Sequence, residues 1–299
     1  MFRVLTVLTG ITAFVVAHAQ PKKFFAVDER KESSAVHLTV DAKSGNYFIQ
    51  PHKGTESLNV ISNEQHLMGN YQLQQRLMGS IHKIMLELNA EEDRGLTQSL
   101  SHRMLGDESP ENGEDCFWKV YLSESKPYRL DLDYAVGSAH ADLSGLAVQY
   151  LDINTGSADV DISYRQSPNK IVMDTFHVNV DMGSLTIHQL SRARSRLVEA
   201  EVGFGKLLLD FSERPTINSE VHGTVGAGSL VILLPDHDVP VMVRITDSWF
   251  SSVVLPDDFR EVDENIYANP ACQTSKARPM LFDLDVAMGR IILRGKAQY

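Results

Sequence analysis

Eight aspartates alternate with apolar residues across the middle of the chain: Asp131, Asp133, Asp142, Asp152, Asp159, Asp161, Asp174 and Asp181. Stacked carboxylates are a ligand set for Ca²⁺, which takes about six to eight oxygens. A close pair of carboxylates is the general acid and base of glycan hydrolysis. The G-G-x-G-x-D signature of calcium-binding rolls does not occur, and no one pair stands apart from the rest. A solvated strand face requires this same alternation, and charge on such a face discourages edge-to-edge pairing. The expectation is a charged outer face, with no catalytic residue, metal or cofactor assigned.

Other chemistry-bearing residues have plain explanations too. His177 and His188 fall near alternating strands, where an outward histidine is ordinary. No H-E-x-x-H or C-x-x-C spacing occurs to hold a metal. Serines follow glycines at Gly137-Ser138, Gly156-Ser157 and Gly183-Ser184, but no G-x-S-x-G elbow is present. Gly203-Phe204-Gly205 and Gly226-Ala227-Gly228 look like phosphate loops without the helix such loops need. Cys116 and Cys272 are a possible disulfide. Trp118 lies in the alternating run Phe117–Leu122 and is expected in the core. Trp249 and Phe250 follow an apolar run. They are expected to plug an end or side of the body, and the alternative is an aromatic platform for a sugar or a protein.

The elements that hold these residues repeat. The pattern apolar-x-apolar-x-x-Gly-x-apolar-x-apolar recurs at Gly137, Gly156, Gly183, Gly205, Gly228 and Gly289, with a looser copy at Gly45. The steps from Gly137 to Gly289 are 19, 27, 22, 23 and 61 residues. Strict alternation marks strands with one buried face, and a glycine at fixed phase marks a corner. A period in the twenties with a fixed corner is the pattern of a coiled solenoid. An antiparallel β-sandwich is the alternative, because hairpins also alternate and turn. Ile84, Leu86 and Leu88 are read as strand, and Ser195–Glu201 as strand rather than helix. Two stretches interrupt the repeat: an acidic, polar loop at 89–115, and 236–280, which holds four prolines and one further coil at Val239–Ile245.

Residues 1–19 read as a secretory signal, with Arg3, an apolar run from Val4 to Val16 and the Ala17-His18-Ala19 cleavage site. The expected division is a signal at 1–19, an N-terminal linker at 20–34 and one β domain at 35–299. No later run is long and apolar enough to span a membrane. With 28 Lys and Arg against 39 Asp and Glu, the net charge of −11 excludes a nucleic-acid binder.

Val136-Gly137-Ser138, Thr155-Gly156-Ser157-Ala158-Asp159-Val160, Met182-Gly183-Ser184-Leu185, Val225-Gly226-Ala227-Gly228-Ser229-Leu230, Leu234-Pro235 and Val239-Pro240-Val241 resemble the exported toast-rack proteins. These are the DUF4097-like adhesin repeats, related to the C-terminal domain of LiaF-type cell-wall stress proteins. The resemblance covers about residues 35–299, best in 128–246. It implies an all-β, right-handed β-solenoid-like domain outside the cytoplasm, periplasmic or at the cell surface, and it carries over no catalytic residues. The expected function is non-enzymatic binding, adhesion or scaffolding at the envelope, with an envelope protein or glycan as partner. A stress sensor and a carbohydrate-active enzyme are the alternatives. The final coil, Phe282–Leu293, is followed by six residues, so an open end and end-to-end self-association are also expected.

Overall fold

The computed structural model describes residues 22–62, 71–88 and 117–295, and the side chains from Phe25 on. The expected signal segment at 1–19, the expected loop at 89–115 and Cys116 lie outside the described residues. In chain order the strands are β1 (Lys22–Asp28), β2 (Ala35–His52), β3 (Glu56–Ser62), β4 (Tyr71–Met78), β5 (Ile81–Leu88), β6 (Phe117–Ser123), β7 (Pro127–Asp142), β8 (Ala147–Ser163), β9 (Met173–Val180), β10 (Ser184–His188), β11 (Ser195–Val202), β12 (Lys206–Asp210), β13 (Glu220–Val225) and β14 (Ser229–Leu233). They continue with β15 (Val241–Asp247), β16 (Ser252–Val254), β17 (Arg260–Asp263), β18 (Ile266–Ala268), β19 (Met280–Val286) and β20 (Arg290–Arg294). A single helical turn, α1 (Ala271–Thr274), precedes β19.

The strands stack as coils with two faces. On the first face the parallel order is β5, the start of β2, the starts of β7 and β8, then β9, β11, β13, β19 and β15. On the second it is β6, the ends of β2, β7 and β8, then β10, β12, β14, β20 and β16. Parallel pairing throughout this stack excludes the antiparallel sandwich.

The in-register ladder puts like residues on like. Leu38, Leu130, Leu151, Phe176, Val198, Val221, Phe282 and Val243 form one buried row on the first face. Ile49, Ala141, Ile162, Ile187, Leu209, Ile232 and Leu293 form one on the second. Together they build a single apolar cluster that includes Trp118. Burying each such row removes apolar surface from water at roughly 25 cal/mol per Å².

Close approach of the coils explains the corner glycines. A Cβ on Gly183 would overlap the carbonyl oxygen of Ala158, one on Gly205 that of Gly183, and one on Gly228 that of Gly205. The row corrects one member of the sequence repeat. Gly137 is in register with Ala158 and not with Gly156, which sits against Ala135 in a neighbouring row. The uneven steps of 19 and 27 residues came from that slip.

The ends correct three further expectations. Residues 22–28, placed in a linker by the sequence, form β1, which pairs antiparallel with β3. With β3 on β6 and β4 on β5, antiparallel strands close that end. The coil Phe282–Leu293 is not terminal. β19 and β20 lie between the β13/β14 coil and the β15/β16 coil. Beyond β15, antiparallel β18 and β17 close the first face, while the second ends on the three residues of β16. The stretch 236–280 therefore contributes a full coil, β15/β16, as well as the closing strands.

Candidate functional site

Where the chain passes from the first face to the second, each corner is a short turn hydrogen-bonded to the turn below. Met182 N–H donates to Gly156 O at 2.9 Å, Phe204 N–H to Asp181 O at 2.7 Å, Ala227 N–H to Gly203 O at 2.8 Å and Met288 N–H to Gly226 O at 2.7 Å. The ladder thus continues around the corner and sets one apex residue per coil in a row. Those apex residues are Met182, Phe204, Ala227 and Met288. The corresponding turn of the outermost coil carries Trp249 and Phe250. That turn is pinned by Ser252 N–H to Gly289 O at 3.1 Å, by Ser248 Oγ to Ala287 O, and by Ser251 Oγ to Ser248 O at 2.8 Å.

The large side chains of these turns are mostly exposed to solvent. Trp249 is 100% exposed, Phe250 81%, Phe204 76%, Met182 67% and Met288 63%. The expected plug is therefore wrong, because a fully exposed indole covers nothing. Phe204, Phe250 and Met288 line an open groove of about 530 Å³ with Lys206, Arg290 and the small residues Gly205, Gly228, Ser229 and Ser252. Scattered exposed apolar residues are ordinary, but these aromatic and methionine side chains lie along one edge, interrupted only by Ala227. Sequence reasoning found Trp249 and Phe250 but missed Met182, Phe204 and Met288. The available signal was an apolar residue directly before the corner glycine, as in Met182-Gly183, Phe204-Gly205 and Met288-Gly289.

The carboxylates occupy different ground. Register on the first face aligns Asp131, Asp152, His177, Glu199, His222, Asp283 and Arg244 in one outward row. These groups pair with neighbours. His37 Nε2 meets Asp131 Oδ2, His177 Nδ1 meets Asp152 Oδ1 at 2.8 Å, and Arg244 meets Asp283 at 3.4 Å. Asp133, in the next row, accepts from Asn154 Nδ2 at 2.9 Å. Burial, reinforced by Asp41, Asp152 and Asp131, pushes its carboxyl above the usual range, against the hydrogen bond from Asn154. Asp159 accepts from Ser184, Asp174 pairs with Arg196, and Asp161 lies 3.4 Å from both His140 and His188. Asp142 accepts from the Ser144 amide and Gln166, and Asp181 is an exposed turn residue. Among the described residues, no group of three or more His, Cys, Asp and Glu side chains is placed to hold a metal ion. Cys272, half-buried, directs its thiol at Val241 O at 3.3 Å, and burial pushes that thiol up.

No curated protein matches the chain. Among solved structures, a Clostridium sporogenes protein named for cell adhesion is 15% identical, with 93% of this chain and 100% of that chain covered and a TM-score of 0.42. A Bacteroides fragilis protein named as an adhesin is 12% identical, with 93% and 98% covered and a TM-score of 0.41. A Parabacteroides distasonis protein named for lipid binding is 9% identical, with 92% and 96% covered and a TM-score of 0.36. The family model of the toast-rack N-terminal domain, DUF2154, matches residues 22–188, more than half of the chain. The chain, with its stacked parallel coils, belongs to the toast-rack family.

Proposed function

We propose that the chain is an exported, non-enzymatic binding module of the cell envelope, and that the apolar crest at its corner is the contact surface. The observation that carries this reading is the row Met182, Phe204, Met288, Trp249 and Phe250, exposed on turns that the ladder holds in place. A rigid frame presenting aromatic side chains loses little entropy when it is covered, and such side chains are the usual hot spots of interfaces. Export is supported by the signal-like residues 1–19. No helix among the described residues is long and apolar enough to cross a membrane.

The test is co-purification of the tagged chain from its native envelope, with protein and glycan both analysed. Trp249→Ala with Phe250→Ala should weaken capture by about 30-fold or more, as truncating a hot-spot pair does. Capture and oligomeric state both unchanged by that double variant sink the crest as the contact surface. A bound protein favours adhesion or scaffolding, or the sensor alternative, and a glycan alone favours the carbohydrate alternative. Cys272 is a free thiol in the structure, so its bond to Cys116 is proposed only for the exported, oxidised chain. Thiol counting on that chain, unreduced and denatured, should then find no free thiol.

A further inference from the structure

The crest divides two flanks of opposite charge. On the first-face side, the outward row next to the corner carries Glu201, Thr224 and Asp285. On the second-face side, the matching row carries Lys206, Ser229 and Arg290. All four charged side chains are exposed. Among the described residues, none of the four forms an ion pair.

The charges also share levels along the stack. Glu201 and Lys206 flank the apex of one coil, and Asp285 and Arg290 flank the apex of another. The uncharged pair Thr224 and Ser229 lies on the coil between them. The two charged levels are therefore about 10 Å apart at the usual strand spacing. The same pattern, with opposite sign, is printed on each side of one apolar ridge.

Such a surface is self-complementary under one symmetry. We infer that the partner of the crest is a second copy of this chain, packed crest to crest with the two stacks parallel. The inference rests on the crest being the contact surface and names its occupant. A two-fold axis along the stack keeps every coil at its level and exchanges the flanks. Lys206 then faces Glu201 of the second copy, and Arg290 faces its Asp285, twice over by symmetry. A two-fold axis crossing the crest at right angles sets acid on acid and base on base, so charge selects the parallel pair. Of the other acids near the crest, Asp181 and Asp247 stand at the levels of Ser184 and Ser252, and Asp159, in the Lys206 row, at the level of Asn154, so in this pairing they meet hydroxyls or an amide rather than carboxylates.

The area suits a dimer. Three exposed aromatic side chains at roughly 150–250 Å² each, together with two methionines, offer on the order of 800 Å² per copy. A standard interface buries about that much on each side. The apolar row supplies contact, and the two flanking rows supply register and partner choice.

The experiment is light scattering of the full chain after size exclusion, from 1 to 100 µM. The wild type should be a dimer that weakens with salt. Lys206→Glu with Arg290→Glu should weaken it about 100-fold, and so should Glu201→Lys with Asp285→Lys. An equimolar mixture of these two charge-reversed chains should form the dimer again, as a heterodimer. That recovery also proves both variants folded. A wild type that stays monomeric at 100 µM overturns the inference, as does a dimer indifferent to both reversals or a mixture that stays monomeric. If the wild type is monomeric while Trp249→Ala with Phe250→Ala still abolishes envelope capture, the contact surface stands and the second copy falls. If that double variant changes neither capture nor self-association, the crest reading itself fails.

Discussion

Replacing Gly228 by alanine drives a methyl group into overlap with the neighbouring coil, while the same change two residues earlier, at Gly226, makes only a tight contact with it. Both glycines belong to one turn, and neither has a positive φ, so alanine can adopt either backbone conformation. At Gly228 the new Cβ overlaps Gly205 O and comes within 2.6 Å of Val202 Cγ1 and 3.0 Å of the Phe204 carbonyl carbon. At Gly226 the nearest atom is Gly203 O at 3.1 Å. Relieving the first overlap requires the coils to part by roughly 0.8 Å, which takes the Ser229 N–H to Gly205 O bond beyond hydrogen-bonding range. That bond is 3.0 Å long in the native turn. Its loss costs about 1 kcal/mol, and the strain of an overpacked site adds about 1–3 kcal/mol. Gly228→Ala should therefore destabilise by about 2–4 kcal/mol. Gly226→Ala should stay within about 1 kcal/mol of the wild type, because a small steric adjustment is offset by the stiffer unfolded chain. Urea denaturation followed by far-ultraviolet circular dichroism, with all chains at equal concentration, measures the difference. Equal midpoints for the two variants would refute the close-approach account of the corner row.

Three other outcomes are expected. Asn169 is fully buried and bonds both the N–H and the C=O of Val148, at 2.8 and 2.7 Å. Asn169→Ala leaves both backbone groups unpaired and should cost about 2–4 kcal/mol in the same denaturation assay. His82 is held below its usual range by burial first, then by Arg30 and Lys126. The unfolded chain therefore binds that proton first, and His82 withdraws stability as pH falls below about 6.5. His82→Leu should flatten the fall in urea midpoint between pH 6.5 and 5, and an unchanged slope would refute the assignment. The chain has 2 tryptophans, of which Trp118 is buried and Trp249 is fully exposed. At a dilution where the chain is monomeric, Trp249→Phe should shift native emission to shorter wavelength, and acrylamide should then quench it poorly. An unshifted spectrum would place Trp249 under cover.

The inward rows were legible because alternation is a local property. Leu151, Ile153, Val160 and Ile162 announce a buried strand face without knowledge of any neighbour. The coil period was legible for the same reason, since a corner glycine recurs in most repeats. Gly156 was misplaced because Ala158 holds the position in register with Gly137, and only the pairing of coils reveals which small residue lies in the row. The order of the terminal coils was hidden because it is non-local. Nothing near Phe282 signals that β19 sits between β13 and β15. The crest was half legible. Trp249-Phe250 is conspicuous in a sequence, whereas Met182, Phe204 and Met288 acquire meaning only when the turns stack. The aspartates were read correctly as outward, but their histidine partners came from other coils, as His37 did for Asp131 across 94 residues.

The position of β19 and β20 has a consequence for the order of folding during synthesis. A chain emerging from its N-terminus can stack coils in order as far as β14. The coil β15/β16 then has no neighbour to dock on, since its place in the ladder is against strands made later. Docking waits until residue 294 is available, so the last two strands act as a keystone inserted behind an element already waiting. Trp249 and Phe250 reach their place in the row only at that moment. A chain cut short before β19 would lack the finished row however well its first coils had folded, so the making of β19 and β20 is the event that completes it.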